Sequence, residues 1–271
     1  MGPAAFFFLL AAALSLAMTL TWLLVLRGAK SGWVDAIWSF LVGSAGMAAA
    51  LLPVSGWEGD GERRILIAIL VALWSCRLGL HIARRTLHGD EDPRYARLRE
   101  EWGQHWRSRL FLFLQIQAAA ALLLATTIFF AARNPAPGLR WSDIAGTAVL
   151  LIAVLGEGLA DAQLTRFRGT STNKGKVCDV GLWSLSRHPN YFFQWLGWTG
   201  YAVIAIGPAG TWGWGWVALA GPAFMYWLLV HVSGIPPLEA HMLRSRGIAF
   251  ASYASRVNAF WPGPQNREKP T

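Results

Sequence analysis

The feature that most constrains this chain is the length of its uninterrupted apolar blocks. A helix needs about 20 apolar residues to cross roughly 30 Å of hydrocarbon. Blocks of that length run at 5–26, 33–53, 63–83, 109–132, 140–162, 190–207 and 210–233. They are unbroken stretches rather than the one-sided stripes of a soluble amphipathic helix. The expectation is an all-α integral membrane protein, one domain with seven transmembrane helices. Composition agrees, with 54% hydrophobic and 14% charged residues, a balance far from that of a solvated globular chain. Gly207, Pro208 and Gly210 are read as a tight turn dividing the last two spans. The first block has no basic start and is followed by Arg27 and Lys30, so it reads as an uncleaved span and not a signal peptide.

Orientation follows from the 24 Lys and Arg residues. With the N-terminus outside, nineteen fall in inside connections, four (Arg63, Arg64, Arg133, Arg140) fall outside and Arg77 lies within a span. That asymmetry sets the long basic loops and the C-terminal tail on the cytosolic side. Many of the sixteen tryptophans stand near span ends, where indole rings favour the headgroup zone. The net charge of +9 is thus explained by topology, and no nucleic-acid motif accompanies it. Neither a nucleic acid nor an obligatory protein partner is expected, and the bacterial inner membrane is the expected location. Cys76 and Cys178 lack an extracellular partner and metal-ligand spacing, so neither a disulfide nor a metal site is expected.

Ionisable groups at membrane depth carry the chemistry, because each costs about 2.5–3.5 kcal/mol on the insertion scale. Asp35, Arg77, His81, Glu157, Asp161 and His231 are the set. Arg77, His81 and Arg84 share one face of the third span, with Trp74 one turn above. Glu157, Asp161 and Arg168 line up at the inside end of the fifth. Mutual pairing or snorkelling accounts for any one of them. Together with Asp35, they point to a polar cavity open to the inside.

The connection from Arg166 to Tyr191 is the most informative stretch. Pro189 suits the first turn of a helix, so the sixth span is expected to begin there with its free N–H groups facing inward. Arg166, Arg168, Lys174, Lys176 and Arg187 surround that terminus, with Asn173 and Asn190 as neutral donors. The set suits a phosphorylated ligand, and an ordinary juxtamembrane loop binding anionic lipid is the alternative. In the tail, Gly234 ends the seventh span, Pro236 and Pro237 open a further helix with Glu239 in its first turn, and Gly247 stops it. His241, Arg246 and Tyr253 follow as tail candidates for the same ligand, and 263–271 reads as a polar end. No dinucleotide fingerprint, P-loop, zinc-protease or nucleophile-elbow motif occurs, which excludes a soluble-type nucleotide domain.

Ser186-Arg187-His188-Pro189-Asn190-Tyr191-Phe192-Phe193, Gly181-Leu182-Trp183, the run from Glu157 to Arg168 and Glu91-Asp92-Pro93-Arg94-Tyr95 together resemble a bacterial family. It is designated only as a domain of unknown function within the steroid 5-alpha-reductase superfamily, and the likeness runs from Trp33 to Pro262. Arg-His-Pro-x-Tyr is also similar to isoprenylcysteine carboxyl methyltransferases. The resemblance implies a seven-helix enzyme that holds NADPH in its C-terminal half, 136–262, with 1–135 toward the substrate, and that reduces an activated carbon–carbon double bond in a lipid. Asp161 and Arg168 resemble the superfamily's acidic and basic cofactor contacts, Asn190 its asparagine at the sixth span, and Glu157 stands where many members have asparagine. Gln194 replaces a glutamate typical of the reductases.

The expected reaction is hydride transfer to an enone-like, steroid-like or other lipid. Asp35, kept protonated by desolvation, His81 and Trp74 are the positional candidates at its oxygen. Arg77, Arg84, Arg168, Lys174 and Arg187 are expected on the phosphates, with Asn173, His188, Asn190, Tyr191, Glu239, His241, Arg246 and Tyr253 completing the cofactor set. The rivals are an S-adenosylmethionine-dependent methyltransferase and a non-catalytic lipid-binding protein.

Overall fold

The computed structural model describes residues 1–265, so Asn266–Thr271 of the expected polar end lie outside the described residues. The described chain is helical, with no strand among the described residues. Ten helices follow one another: α1 (Pro3–Leu26), α2 (Gly32–Leu51), α3 (Gly61–His88), α4 (Pro93–Trp102), α5 (Trp106–Ala132), α6 (Trp141–Gly169), α7 (Pro189–Ile206), α8 (Ala220–Trp227), α9 (Ile235–Arg246) and α10 (Ile248–Arg256). A 3₁₀ stretch (Gly213–Leu219) leads into α8, and a π turn (Leu228–Val232) follows it.

Among the described residues, six helical stretches are long and apolar enough to cross a membrane: 3–26, 32–51, 61–88, 93–132, 141–169 and 213–256. The chain is therefore a multi-pass, all-helical membrane protein. The expected span not among these six is the sixth, α7, which has 18 residues and is diluted by Asn190 and Gln194. Gly207, with φ of 70°, closes the expected turn after it. Helix starts obey local chemistry. The Asp60 carboxylate caps α3 by accepting from the Arg63 N–H, Asp92 caps α4 through the Arg94 N–H, and Pro93 and Pro189 occupy first-turn positions.

The chain divides into two compact units. The first comprises Met1–Thr147 and Tyr201–Gly221. Here α2 packs on α3 and α5, and α1 on α5. At Gly43 a Cβ would lie 2.3 Å from the Ser75 Cβ, so only glycine lets α2 approach α3 this closely. Between α1 and α5 the contact is partly polar, with Ser15 Oγ donating to Gln115 Oε1 at 2.7 Å and Gln115 Nε2 donating to Thr19 Oγ1 at 3.2 Å.

One end of this unit is fixed by arginines that the sequence reading treats only as outside flanks. Arg63 is fully buried; Nε donates to Asp143 Oδ1 at 2.9 Å, and the other nitrogens reach Asp143 Oδ2 and the carbonyls of Asn134, Ala136 and Gly138. Arg140 donates to the same buried Asp143. Arg133 donates to the carbonyls of Ala49, Leu52, Trp57 and Glu58. Two guanidinium groups thus share one carboxylate, and backbone carbonyls take the remaining N–H groups, which is how such charges are tolerated away from water.

The second unit comprises Ala148–Gly200 and Pro222–Thr271. Its α6 and α7 meet where the Phe193 ring covers Gly156, and a Cβ there would lie 2.4 Å from the ring. Trp183 Nε1 donates to the Ala160 carbonyl and the Leu182 N–H to Gln163 Oε1, both at 2.9 Å, pinning the 181–184 turn along α6. Phe250, Tyr253 and Val257 of the α9–α10 region form a small core with Val177 and Met242.

Candidate functional site

In the second unit, α6 and α7 bring together the polar residues expected to face a cofactor. The four-residue spacing of Glu157 and Asp161 puts both carboxyl groups on one face of α6, and both are buried. The same spacing puts Asn190 and Gln194 on one face of α7, and Gln194 is also buried. Asn190 Nδ2 donates to Asp161 Oδ1 at 3.3 Å, joining the two faces. The result is a patch of carboxyl and amide groups on the two facing helices.

The cations expected on phosphates fall in three settings. Arg168 and Lys174 are exposed near the end of α6, and Asn173 turns its amide back to the Phe167 carbonyl at 3.1 Å. Arg246, at the end of α9, comes to this same connection, its Nη1 lying 3.5 Å from where a Gly175 Cβ would stand. His241 is exposed on α9. Arg77 and Arg84 belong to the first unit, on α3, and Arg84 is exposed.

Arg187 has a different setting. Its Nε and Nη2 donate to the two oxygens of Glu239 at 2.6 and 3.0 Å, and Nη1 donates to the carbonyls of Ala254 and Val257. His188 Nε2 is 3.0 Å from Glu239 Oε1, and its ring stacks on Tyr191 with centroids 5.4 Å apart. Tyr253 donates its hydroxyl to the Trp183 carbonyl at 2.6 Å. Four residues expected around the cofactor therefore fasten the start of α7 to the tail. Glu239 also departs from the first-turn placement, because α9 begins at Ile235, and its carboxylate meets a side-chain cation instead of the helix terminus. The aromatic tail adds to the fastening, with Trp261 5.0 Å from Trp195 and Phe260 5.3 Å from Tyr226 between ring centroids.

In the first unit, Asp35 on α2 is the acceptor of two donors, Arg94 Nη2 at 2.5 Å and the Tyr95 hydroxyl at 2.9 Å. It is not held in the apolar isolation expected of a protonated acid, since its side chain is 21% exposed and ion-paired. Tyr95, buried on α4, is the member of this group with a proton to give. Arg94 and Tyr95 enter the sequence analysis only as parts of a motif; Pro93 and the capping Asp92 beside them signal that a helix presents both. Trp74 is buried on α3, where His81 also lies. A cavity of about 300 Å³ lined by Asn134, Arg140, Pro208 and Trp212 contains none of the expected site residues.

The sequence profile of a family described as "Protein of unknown function (DUF1295)" matches residues 21–257. No curated protein and no solved structure matches the chain.

Proposed function

The chain belongs to the DUF1295 family of proteins of unknown function, and from that premise we propose that it is a membrane-embedded, NADPH-dependent reductase of an activated carbon–carbon double bond in a steroid-like or other enone lipid. The observation that carries this reading is the joined polar face of α6 and α7, where Asp161 meets Asn190 between two helices long and largely apolar along their middles. Such a cluster is costly in a membrane protein and is typically retained for binding or catalysis.

The donor set fits a dinucleotide. Carboxyl groups at Glu157 and Asp161 suit ribose hydroxyls, and the amides of Asn190 and Gln194 suit the polar edge of a nicotinamide. Arg168, Lys174 and Arg246 suit phosphates, and Arg187, His188, Glu239 and Tyr253 hold the start of α7 in position for that task. His241, Asn173 and Tyr191 belong to the same unit. Bound NADPH would supply the hydride. The protein's part is placement and charge, together with a proton donor to the oxygen of the enone. Within the first unit, the Asp35, Arg94 and Tyr95 group carries a hydroxyl hydrogen-bonded to a carboxylate, and Trp74 and His81 lie on α3 of the same unit.

Seven spans, with α7 as the sixth and 210–233 as the seventh, an outside N-terminus and residence in the bacterial inner membrane complete the reading. They are supported by the distribution of Lys and Arg. Purified protein in detergent is expected to oxidise NADPH when a cyclic enone lipid is added. Absence of turnover across a panel of enone lipids, together with absence of NADPH binding, counts against the assignment.

A further inference from the structure

The fastening between α7 and the tail contains a group that its hydrogen bonding does not complete. His188 is buried, with its side chain 4% exposed, and Nε2 faces the Glu239 carboxylate at 3.0 Å. A carboxylate only accepts, so Nε2 carries the hydrogen, and in the neutral ring Nδ1 carries a lone pair. Nδ1 is buried and has no hydrogen-bond partner among the described residues.

We propose that this junction is a proton-operated latch: neutral His188 holds the α9–α10 segment to the start of α7, and protonation at Nδ1 releases it. Around the imidazole stand Glu239 from α9, Arg187 from the chain just before it, the Tyr191 ring from α7 and, on α10, Tyr253, whose hydroxyl is engaged with the Trp183 carbonyl. Protonation creates an N–H with no acceptor in reach and places a second positive charge beside Arg187, both drawing on one carboxylate. Burial pushes His188 below the ordinary imidazole value, and Arg187 adds to that, against the opposing pull of Glu239. Because the folded value is depressed, the stability from neutral His188 is complete above the ordinary value near 6.5 and is lost as pH falls through the depressed one.

The bonds at stake are local. Arg187 donates its backbone N–H to the Asn258 carbonyl at 2.8 Å and its guanidinium to Ala254 and Val257. Ser186 Oγ donates to the Phe260 carbonyl at 2.9 Å. All depend on where residues 186–188 sit, so displacing His188 loosens the tail without touching α2 or α3.

Hydrogen exchange of the full-length protein in detergent, corrected for the intrinsic pH dependence, tests this. Peptides covering 235–262 are expected to lose protection several-fold between pH 7.5 and 5.0, with peptides from α2 and α3 unchanged. His188→Gln, which keeps a donor toward Glu239 and does not titrate, is expected to abolish the pH dependence; Glu239→Gln is expected to release the tail at both pH values. Equal protection of the wild-type tail at both pH values overturns the latch, as does a pH dependence that survives in His188→Gln. Loss of protection in α2 and α3 together with the tail also overturns it, since that is global unfolding.

Discussion

Two buried polar clusters in this molecule look alike by composition and differ in the groups they bring together. Around Arg63 in the first unit, the charge of Asp143 is met by two guanidinium groups, and carbonyls at the ends of turns take the other N–H groups. Between α6 and α7 in the second unit, Asp161 Oδ1 accepts from the amide of Asn190, among its contacts. The first arrangement matches charge to charge and fixes the 133–140 connection. The second joins carboxyl and amide groups whose hydrogen-bonding capacity also suits ribose and carboxamide groups. The lesson is that a buried charge in a membrane helix becomes a functional candidate through its partners' chemistry, not through its depth alone.

The largest effect that would break this comparison is on the structural side. Removing one partner of a buried pair typically costs about 3–5 kcal/mol, so Arg63→Ala is expected to abolish or strongly lower the thermal transition followed by size-exclusion chromatography in detergent. A transition as high as that of the wild type would show the cluster to be dispensable. On the other side, Asp161→Asn and Asn190→Ala are expected to keep the wild-type transition while weakening NADPH binding by about tenfold or more, roughly 1.4 kcal/mol. Calorimetric titration separates the two outcomes; a large drop in stability with unchanged affinity would reverse the roles assigned to the clusters.

Smaller effects sharpen the picture. Gly156→Ala puts a methyl group into the Phe193 ring and is expected to cost about 1–3 kcal/mol, read as a lower transition temperature with some loss of cofactor affinity, because α6 and α7 must move apart. Asp60→Ala removes the α3 cap and is expected to cost about 1 kcal/mol without effect on binding. Hydrogen bonds from the Gly138 and Arg63 backbone N–H groups hold the Asp60 carboxyl below its usual value. Its folded value being depressed, this stabilisation is present above about pH 4 and is lost as pH falls further. Comparing thermal transitions of wild type and variant from pH 7 down to 3 checks the sign, since the gap between them should close on acidification.

The membrane class, most helix boundaries and the polar faces of α6 and α7 are legible in the sequence because each rests on spacing along a single helix. Pro189 starting α7, Gly247 stopping α9 and the Gly207 turn follow from backbone chemistry and stand where expected. What spacing cannot show is which charge finds which partner across the fold. Arg187 and Glu239 are 52 residues apart, and Asp35 and Tyr95 are 60 apart. Read as a basic loop, Arg187 looked like a phosphate ligand; only the folded chain reveals the carboxylate in the tail that it holds. The same limit hid Arg63, whose partner Asp143 lies 80 residues away.

The most direct test titrates purified full-length protein in detergent with NADPH and, separately, with S-adenosylmethionine by calorimetry. The reductase account predicts saturable binding of NADPH, its loss in Asn190→Ala, and no binding of the methyl donor. Saturable binding of S-adenosylmethionine without NADPH, or binding of neither, would contradict it.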